Sequence, residues 1–171
     1  MADILPDSEG RLRFAVYGLV PGMAEIYRQA ASHTSVIMAI TKAVPVLRVT
    51  DVARAIEWYR DNLGFHGDPF PASPPHEFAI LRHGQVELML RRGSPSARQP
   101  RRQYDWDVYL RREGDRFREV FAAFSANGLV TRRLERMPYG LAEFEITDPD
   151  GYVICLSQEL ADASDLPKPA A

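Results

Sequence analysis

Apolar and polar positions follow two different periods along this chain, and the clearest change of period lies between Val44 and Phe65, VPVLRVTDVARAIEWYRDNLGF. Val44, Val46, Leu47 and Val49 are β-branched or large and apolar, which predicts a strand; Pro45 is tolerated because it falls near the strand's start. Val52, Ile56, Tyr59 and Leu63 then recur at spacings of four, three and four, with Arg54, Glu57, Arg60 and Asp61 between them. That period predicts an amphipathic helix with one buried stripe. Asp51 is placed to cap it, because a carboxylate there accepts from a free N–H of the first turn and faces the positive end of the helix dipole. The reciprocal Glu of a capping box is missing, since Arg54 stands in its place. Gly64 takes the left-handed position that ends many helices.

After Gly64 the pattern predicts short strands over 65–71, 77–82 and 86–91, separated by PASPPH and by His83-Gly84. The unit is therefore β-α-β-β-β. A polar, Arg-rich linker over 93–103 follows, and the same order begins again. Trp106 to Leu110 reads as a strand, Asp115 as a cap, and Phe117, Val120, Phe121 and Phe124 as a helical face closing at Asn127-Gly128. Strands over 130–136, 141–147 and 152–158 complete it. Asp51 and Asp115 lie 64 residues apart, as do Gly64 and Gly128, which indicates an internal repeat. The predicted fold class is α+β: two tandem β-α-β-β-β modules, 42–92 and 104–160, forming one curved, cavity-bearing domain over 42–160. Helices cover its convex side, and alternate strand residues line a concave face.

The flanks differ. Over 1–41, Gly10, Gly18, Pro21 and Gly22 break the apolar pieces and only Met23 to Ala31 has a helical pattern, so a weakly structured extension is expected. Met38 directly precedes AITKAVPVLRV, which leaves open whether the natural product starts there or at Met1. Residues 161–171, with Pro167 and Pro169, read as a flexible tail.

Composition narrows the function classes. The 171 residues are 46% hydrophobic and 26% charged with a net charge of −2, which suits a globular domain and offers no reason to expect nucleic acid or a membrane as partner. Arg91-Arg92 and Arg101-Arg102 have acidic residues close by and read as solvated surface. A single cysteine allows no intramolecular disulfide, in keeping with a cytoplasmic location. No apolar run reaches the roughly 20 residues that span a bilayer. A Ser elbow, a locally supported Cys-His pair and a phosphate-cradling glycine loop are all missing from the sequence.

With VLRVTDVARAIEWYRDNLGF at the front, YGLAEFEITDPDGYVICLSQ with its DPDG turn at the back, and paired modules at one period, the chain resembles the vicinal oxygen chelate superfamily, in its glyoxalase and bleomycin-resistance branch. The resemblance runs from about Lys42 to Glu159. It implies pockets near module or subunit junctions and a homodimer. In metal-dependent members, His, Glu or Gln would stand at four concave positions, which here fall on Val44, Glu87, Asp107 or Val108, and Cys155. Val44 cannot ligate a metal. Glu87, Asp107 and Cys155 are thus the candidate donors, an incomplete set for a divalent ion that must activate a substrate. His33, His66, His76 and His83 fall in the extension or in turns.

Aromatic residues are the more suggestive group. Trp106 and Tyr109 flank the second module's first strand on opposite faces, and Phe78, Tyr139 and Phe144 fall in or beside strands that border the expected cavity. Such rings can hold a flat or cationic ligand by stacking and cation–π contact, or simply pack the core. The resulting expectation is a non-catalytic, homodimeric protein of the bleomycin-resistance type. It would sequester a hydrophobic or aromatic small molecule, such as an antibiotic, without a cofactor. The alternative is a divergent metal-dependent lyase, dioxygenase or thiol transferase of the same fold, and a third class is a regulatory domain with an empty cavity. Bleomycin itself fits poorly, because a binder for so cationic a ligand should be clearly acidic and this chain has a pI near 6.1.

Overall fold

The computed structural model describes residues 3–6, 12–15, 41–94 and 102–169. The chain divides into two units, 1–43 and 44–171. The described part of the first is an antiparallel pair, β1 (Asp3–Pro6) and β2 (Leu12–Ala15), with Asp3 opposite Ala15. The glycine breaks of the extension did not lead us to expect this pair. The helical pattern at 23–31, His33, Met38 and linker residues 95–101 lie outside the described residues.

The second unit runs through β3 (Val46–Val49), α1 (Val52–Leu63), β4 (His66–Phe70), β5 (Phe78–His83) and β6 (Val86–Arg92). It continues through β7 (Val108–Arg111), α2 (Phe117–Ala126), β8 (Val130–Arg136), β9 (Leu141–Thr147) and β10 (Val153–Glu159). Two four-stranded sheets result, ordered β3-β6-β5-β4 and β7-β10-β9-β8. In each, the first strand of the module runs parallel to the last and the remaining pairs are antiparallel. A parallel pair requires a crossover, and the helix begins it in both modules.

The first helix matches its sequence signals. Asp51 Oδ1 accepts from the Arg54 N–H at 3.1 Å, and Gly64, at φ 70°, donates its N–H to the Arg60 carbonyl at 3.0 Å. The second helix departs from them. Asp115 does not cap it; the N-cap is Arg116, which supplies no side-chain capping bond and instead pairs with Glu119. The segment RREGD carries the chain into the helix one residue later than the 64-residue period would place it. Gly128, at φ 68°, restores the register at the other end.

Both helices turn the predicted stripe to the core, with Ile56 and Leu63 of α1 and Val120 and Phe121 of α2 part-buried against it. Val52, Ala55 and Tyr59 of α1 are buried with Leu47, Leu81, Leu88 and Leu90 of the first sheet. Gly67 permits this approach, because a Cβ there would lie 2.7 Å from Ile56 Cγ2. On α2, Phe117, Phe121 and Phe124 surround the Phe144 ring at centroid distances of 5.3, 5.4 and 5.8 Å. The two cores are contiguous.

The DPDG turn joins the modules. Asp148 Oδ1 accepts the N–H groups of Asp150 and Tyr152 at 2.9 and 2.8 Å, which fixes the turn, and Oδ2 accepts from the buried Tyr59 hydroxyl at 3.1 Å. Asp150 Oδ1 accepts from the N–H and hydroxyl of Thr50 at 2.9 and 2.7 Å. Tyr152 Oη accepts from the Arg48 N–H at 2.7 Å and donates to the Arg48 carbonyl at 3.0 Å. The motif therefore has a structural task, holding the end of β3 and the α1 stripe against the second module.

The segment after β10, where a flexible tail was expected, makes contacts with the rest of its unit. Arg118 donates to the Asp162 carbonyl at 3.1 Å and to Asp165 at 2.7 Å, and the Pro167 carbonyl accepts the Arg136 N–H at 2.9 Å. Leu160 and Leu166 pack on the core, and Ala163 is buried. Pro167 thus satisfies an N–H at the edge strand β8.

Candidate functional site

The site grows from the alternation of β9. In LAEFEIT, Ala142, Phe144 and Ile146 point to α2, so Glu143 and Glu145 must point to the opposite, open face. Their neighbours on that face follow from the pairing. Cys155 lies beside Glu145 and Ser157 beside Glu143, with Tyr109 next to Cys155 and Arg111 next to Ser157. On the other side, two register shifts in β8 bring Arg132 opposite Glu145 and Glu135 opposite Glu143. Bulges of this kind re-aim side chains, and here they turn a cation and an acid onto one face.

Three carboxylates therefore meet one guanidinium in a nearly dry layer. Glu143 is fully buried and Glu135 is 4% exposed. Arg132 donates from Nε to Glu145 at 2.7 Å and from Nη1 to Glu135 at 2.9 Å, while Nη2 lies 3.5 Å from Glu143 without making a hydrogen bond. Burial acts to lower the Arg132 pKa, but the carboxylates of Glu145 and Glu135 outweigh it and keep the guanidinium charged.

Aromatic rings stand on this layer with their polar atoms tied down. The Trp106 Nε1–H donates to Glu145 at 2.6 Å. The hydroxyls of Tyr109 and Tyr139 both donate to Glu143 Oε1, at 2.5 and 2.7 Å. Tyr104 lies over Arg132, 4.8 Å from guanidinium carbon to ring centre, and its backbone adopts φ 66°, a left-handed conformation that non-glycine residues enter only at a cost. Trp106 is 5.0 Å from Tyr109 and 6.2 Å from Tyr104, centre to centre. Tyr109 and Tyr139 remain 37% and 58% exposed. The layer beneath them is acidic. Burial, then the hydrogen bond to Glu143, pushes the Tyr109 phenol up to about 12, and the same two causes push Tyr139 up. Both therefore stay donors at neutral pH.

Three of the five aromatic candidates, Trp106, Tyr109 and Tyr139, meet on this face; Trp106 and Tyr109 share it, against the expectation of opposite faces, because Trp106 precedes β7 and strand alternation does not govern it. The other two do not join them. Phe144 is fully buried on the helix side among three phenylalanines, so it packs the core. Phe78 lies on the first sheet, paired with Phe70 and Arg91. Sequence reasoning missed Tyr104, Arg132, Glu135, Glu143 and Glu145. The available signal was the alternation E-F-E in β9, which sends Phe144 and its flanking acids to opposite faces.

The metal candidates are not assembled. Glu87, on the first sheet, accepts from Arg82 Nε at 3.2 Å. Asp107 accepts the Val153 N–H at 2.8 Å and so closes the start of β7 onto β10. Val108, the other possibility at that position, is buried in the core. The Cys155 thiol donates to Glu143 at 3.6 Å, and burial followed by the Glu143 charge pushes its pKa up, away from the thiolate that would ligate. Among the described residues no three His, Cys, Asp or Glu side chains converge in a way that could hold an ion. The described residues of one chain therefore present no complete donor set for a divalent ion. His76 and His83 each bond a backbone carbonyl, and His66 lies 3.6 Å from Asp68.

The fold and this face can be set beside known proteins. No curated protein matches the chain. Among solved structures, TioX from Micromonospora sp. ML1 is 24% identical, with 71% of this chain and 100% of that one aligned at a TM-score of 0.54. A glyoxalase/bleomycin resistance protein/dioxygenase from Nocardioides is 18% identical, covering 88% and 100%, also at 0.54. A lactoylglutathione lyase from Agrobacterium tumefaciens is 20% identical, covering 71% and 96%, at 0.52. At these identities the likeness is one of fold. The profile of the Glyoxalase/Bleomycin resistance protein/Dioxygenase superfamily matches residues 36–156. With that match over most of its length and the paired β-α-β-β-β sheets described above, the chain belongs to the glyoxalase/bleomycin resistance protein/dioxygenase superfamily.

Proposed function

We propose that this protein is a non-catalytic small-molecule binder of the bleomycin-resistance type, which sequesters a planar aromatic ligand on the open face of its second sheet. One observation carries the reading: Trp106, Tyr109 and Tyr139 are part-exposed rings whose polar atoms are all anchored on carboxylates of the inner layer, the two tyrosines on the buried Glu143 and Trp106 on the part-buried Glu145. Rings fixed in this way lose little freedom when a ligand stacks on them, so binding energy is not spent on ordering them. The acidic layer beneath favours neutral or cationic rings, and the spare Nη2 of Arg132 is poised for an acceptor atom should Tyr104 move aside. A ligand of the antibiotic class is compatible with these features.

We further propose that the protein acts as a homodimer. Val46 and Phe70, on the face of the first sheet away from α1, are 54% and 69% exposed beside the part-buried Phe78, Ile80 and Met89. A second copy would remove this apolar surface from water, burying more than roughly 1,000 Å². Native mass spectrometry of protein taken directly from cells tests both proposals. The expected species is a dimer that retains a small organic molecule and no divalent ion. A monomer would refute the dimer, and one retained metal ion per chain would refute the non-catalytic reading in favour of a metal enzyme.

A further inference from the structure

We propose that the cleft at the end of the aromatic face is a second subsite for the same ligand, one that takes an acidic group. The ligand class is then a planar aromatic or heteroaromatic ring bearing one negative charge, such as a carboxylate or a sulfonate. This rests on the ring-binding reading above and adds the chemistry of the ligand's other end.

The cleft has a volume of about 640 Å³, within the usual range for a small-molecule site, and its lining includes Arg111, Arg112, Tyr139, Leu141 and Gln158. Tyr139 belongs both to the cleft and to the aromatic face, so the two are continuous. Arg111 stands two residues after Tyr109 on β7, on the same side of the sheet and roughly 7 Å further along it. A ring stacked at Tyr109 therefore brings a substituent within reach of Arg111.

The two arginines differ in their commitments. Arg112 is braced: Nη1 donates to Gln158 Oε1 at 3.1 Å, and the Gln158 amide in turn donates to the Gly114 carbonyl. The Arg111 main chain pairs with β10, but its guanidinium makes no hydrogen bond or ion pair among the described residues. It is an uncommitted five-donor fork at the cleft wall, suited to a carboxylate or sulfonate. The surrounding charge limits where an anion can sit. Over Glu143 and Glu145 it would be repelled, whereas at Arg111 it is attracted. Glu113 and Glu159 also border the cleft and offset the two arginines. One negative charge is thus accommodated better than a polyphosphate.

Two dyes that share a ring system test this: 8-anilinonaphthalene-1-sulfonate and its uncharged counterpart N-phenyl-1-naphthylamine, each titrated by fluorescence into the full chain. The sulfonate should bind about tenfold more tightly, as one charge-assisted pair implies. Arg111→Gln, at an exposed position, should remove that advantage and leave the neutral dye unchanged, while Trp106→Ala should weaken both. Equal affinities in the parent protein, or an advantage that survives Arg111→Gln, would overturn the acidic subsite while ring binding stands. Failure of both dyes to bind, or binding indifferent to Trp106→Ala, would overturn the ring-binding reading and the subsite with it.

Discussion

Arg132→Met is expected to lower the unfolding free energy by about 3–5 kcal/mol, the usual cost of removing one partner from a buried ionic cluster. Among the described residues the guanidinium is the only cation inside a layer that holds Glu135, Glu143 and Glu145, with its side chain 10% exposed and theirs 5, 0 and 13%. Without it, fully or nearly buried carboxylates face one another across β8 and β9, and the remaining cation, Arg133, is 65% exposed and reaches only Glu135. Solvent screens that outer pair, so Arg133→Met should cost no more than about 1 kcal/mol. Urea unfolding of the two variants checks the contrast. Equal losses would mean that water reaches the cluster. Arg132→Lys should recover part of the loss, because a point charge remains but the fork that bonds Glu145 and Glu135 at once does not.

Phe144→Ala is expected to cost a similar amount, about 3–5 kcal/mol, through cavity formation. The ring is fully buried and touches Phe117, Phe121 and Phe124 from three sides, so the surrounding side chains cannot collapse into the space without moving α2 off the sheet. Phe144→Leu, which keeps most of the volume, should cost less and should leave ligand binding intact once folded. Loss of dye binding in a stably folded Phe144→Leu variant would show that the ring takes part in the site from the other side of β9.

The repeat, the order of elements along the chain and the first helix were legible because local signals and tertiary structure agree there. Asp51 and Gly64 terminate α1 by hydrogen bonds that any helix of that length needs, and the four-three-four spacing leaves one face for burial. Asp115 misled because a capping residue works only at one position, and the extra residue before α2 moved that position to Arg116. Phe144 was assigned to the cavity, and Glu143 passed over, for one shared reason. A glutamate in a strand is expected to face water, yet Glu143 is fully buried, sustained by two tyrosine hydroxyls, a thiol and Arg132. Such a network draws its partners from β7, β8, β9 and β10 together, so no single segment announces it. Arg132 in particular reaches the open face only through register shifts that the strand's own alternation does not show. In the tail, Leu160, Ala163 and Leu166 recur at spacings of three that suit docking on a core, a signal that the neighbouring prolines obscure.

The central claim, that the open face of the second sheet holds a flat ligand, is tested most directly by the two indole N–H resonances in a ¹H–¹⁵N spectrum. Trp106→Phe and Trp58→Phe assign the two signals, and the protein is then titrated with the planar acridine dye proflavine. Trp106 stands on that face with its N–H on Glu145, whereas Trp58 lies on α1 against the core, 5.0 Å from Tyr59, and acts as an internal control. The predicted result is a saturating shift of the Trp106 signal with the Trp58 signal unmoved. A saturating shift confined to Trp58, or none at either indole while the dye is bound, would contradict the account.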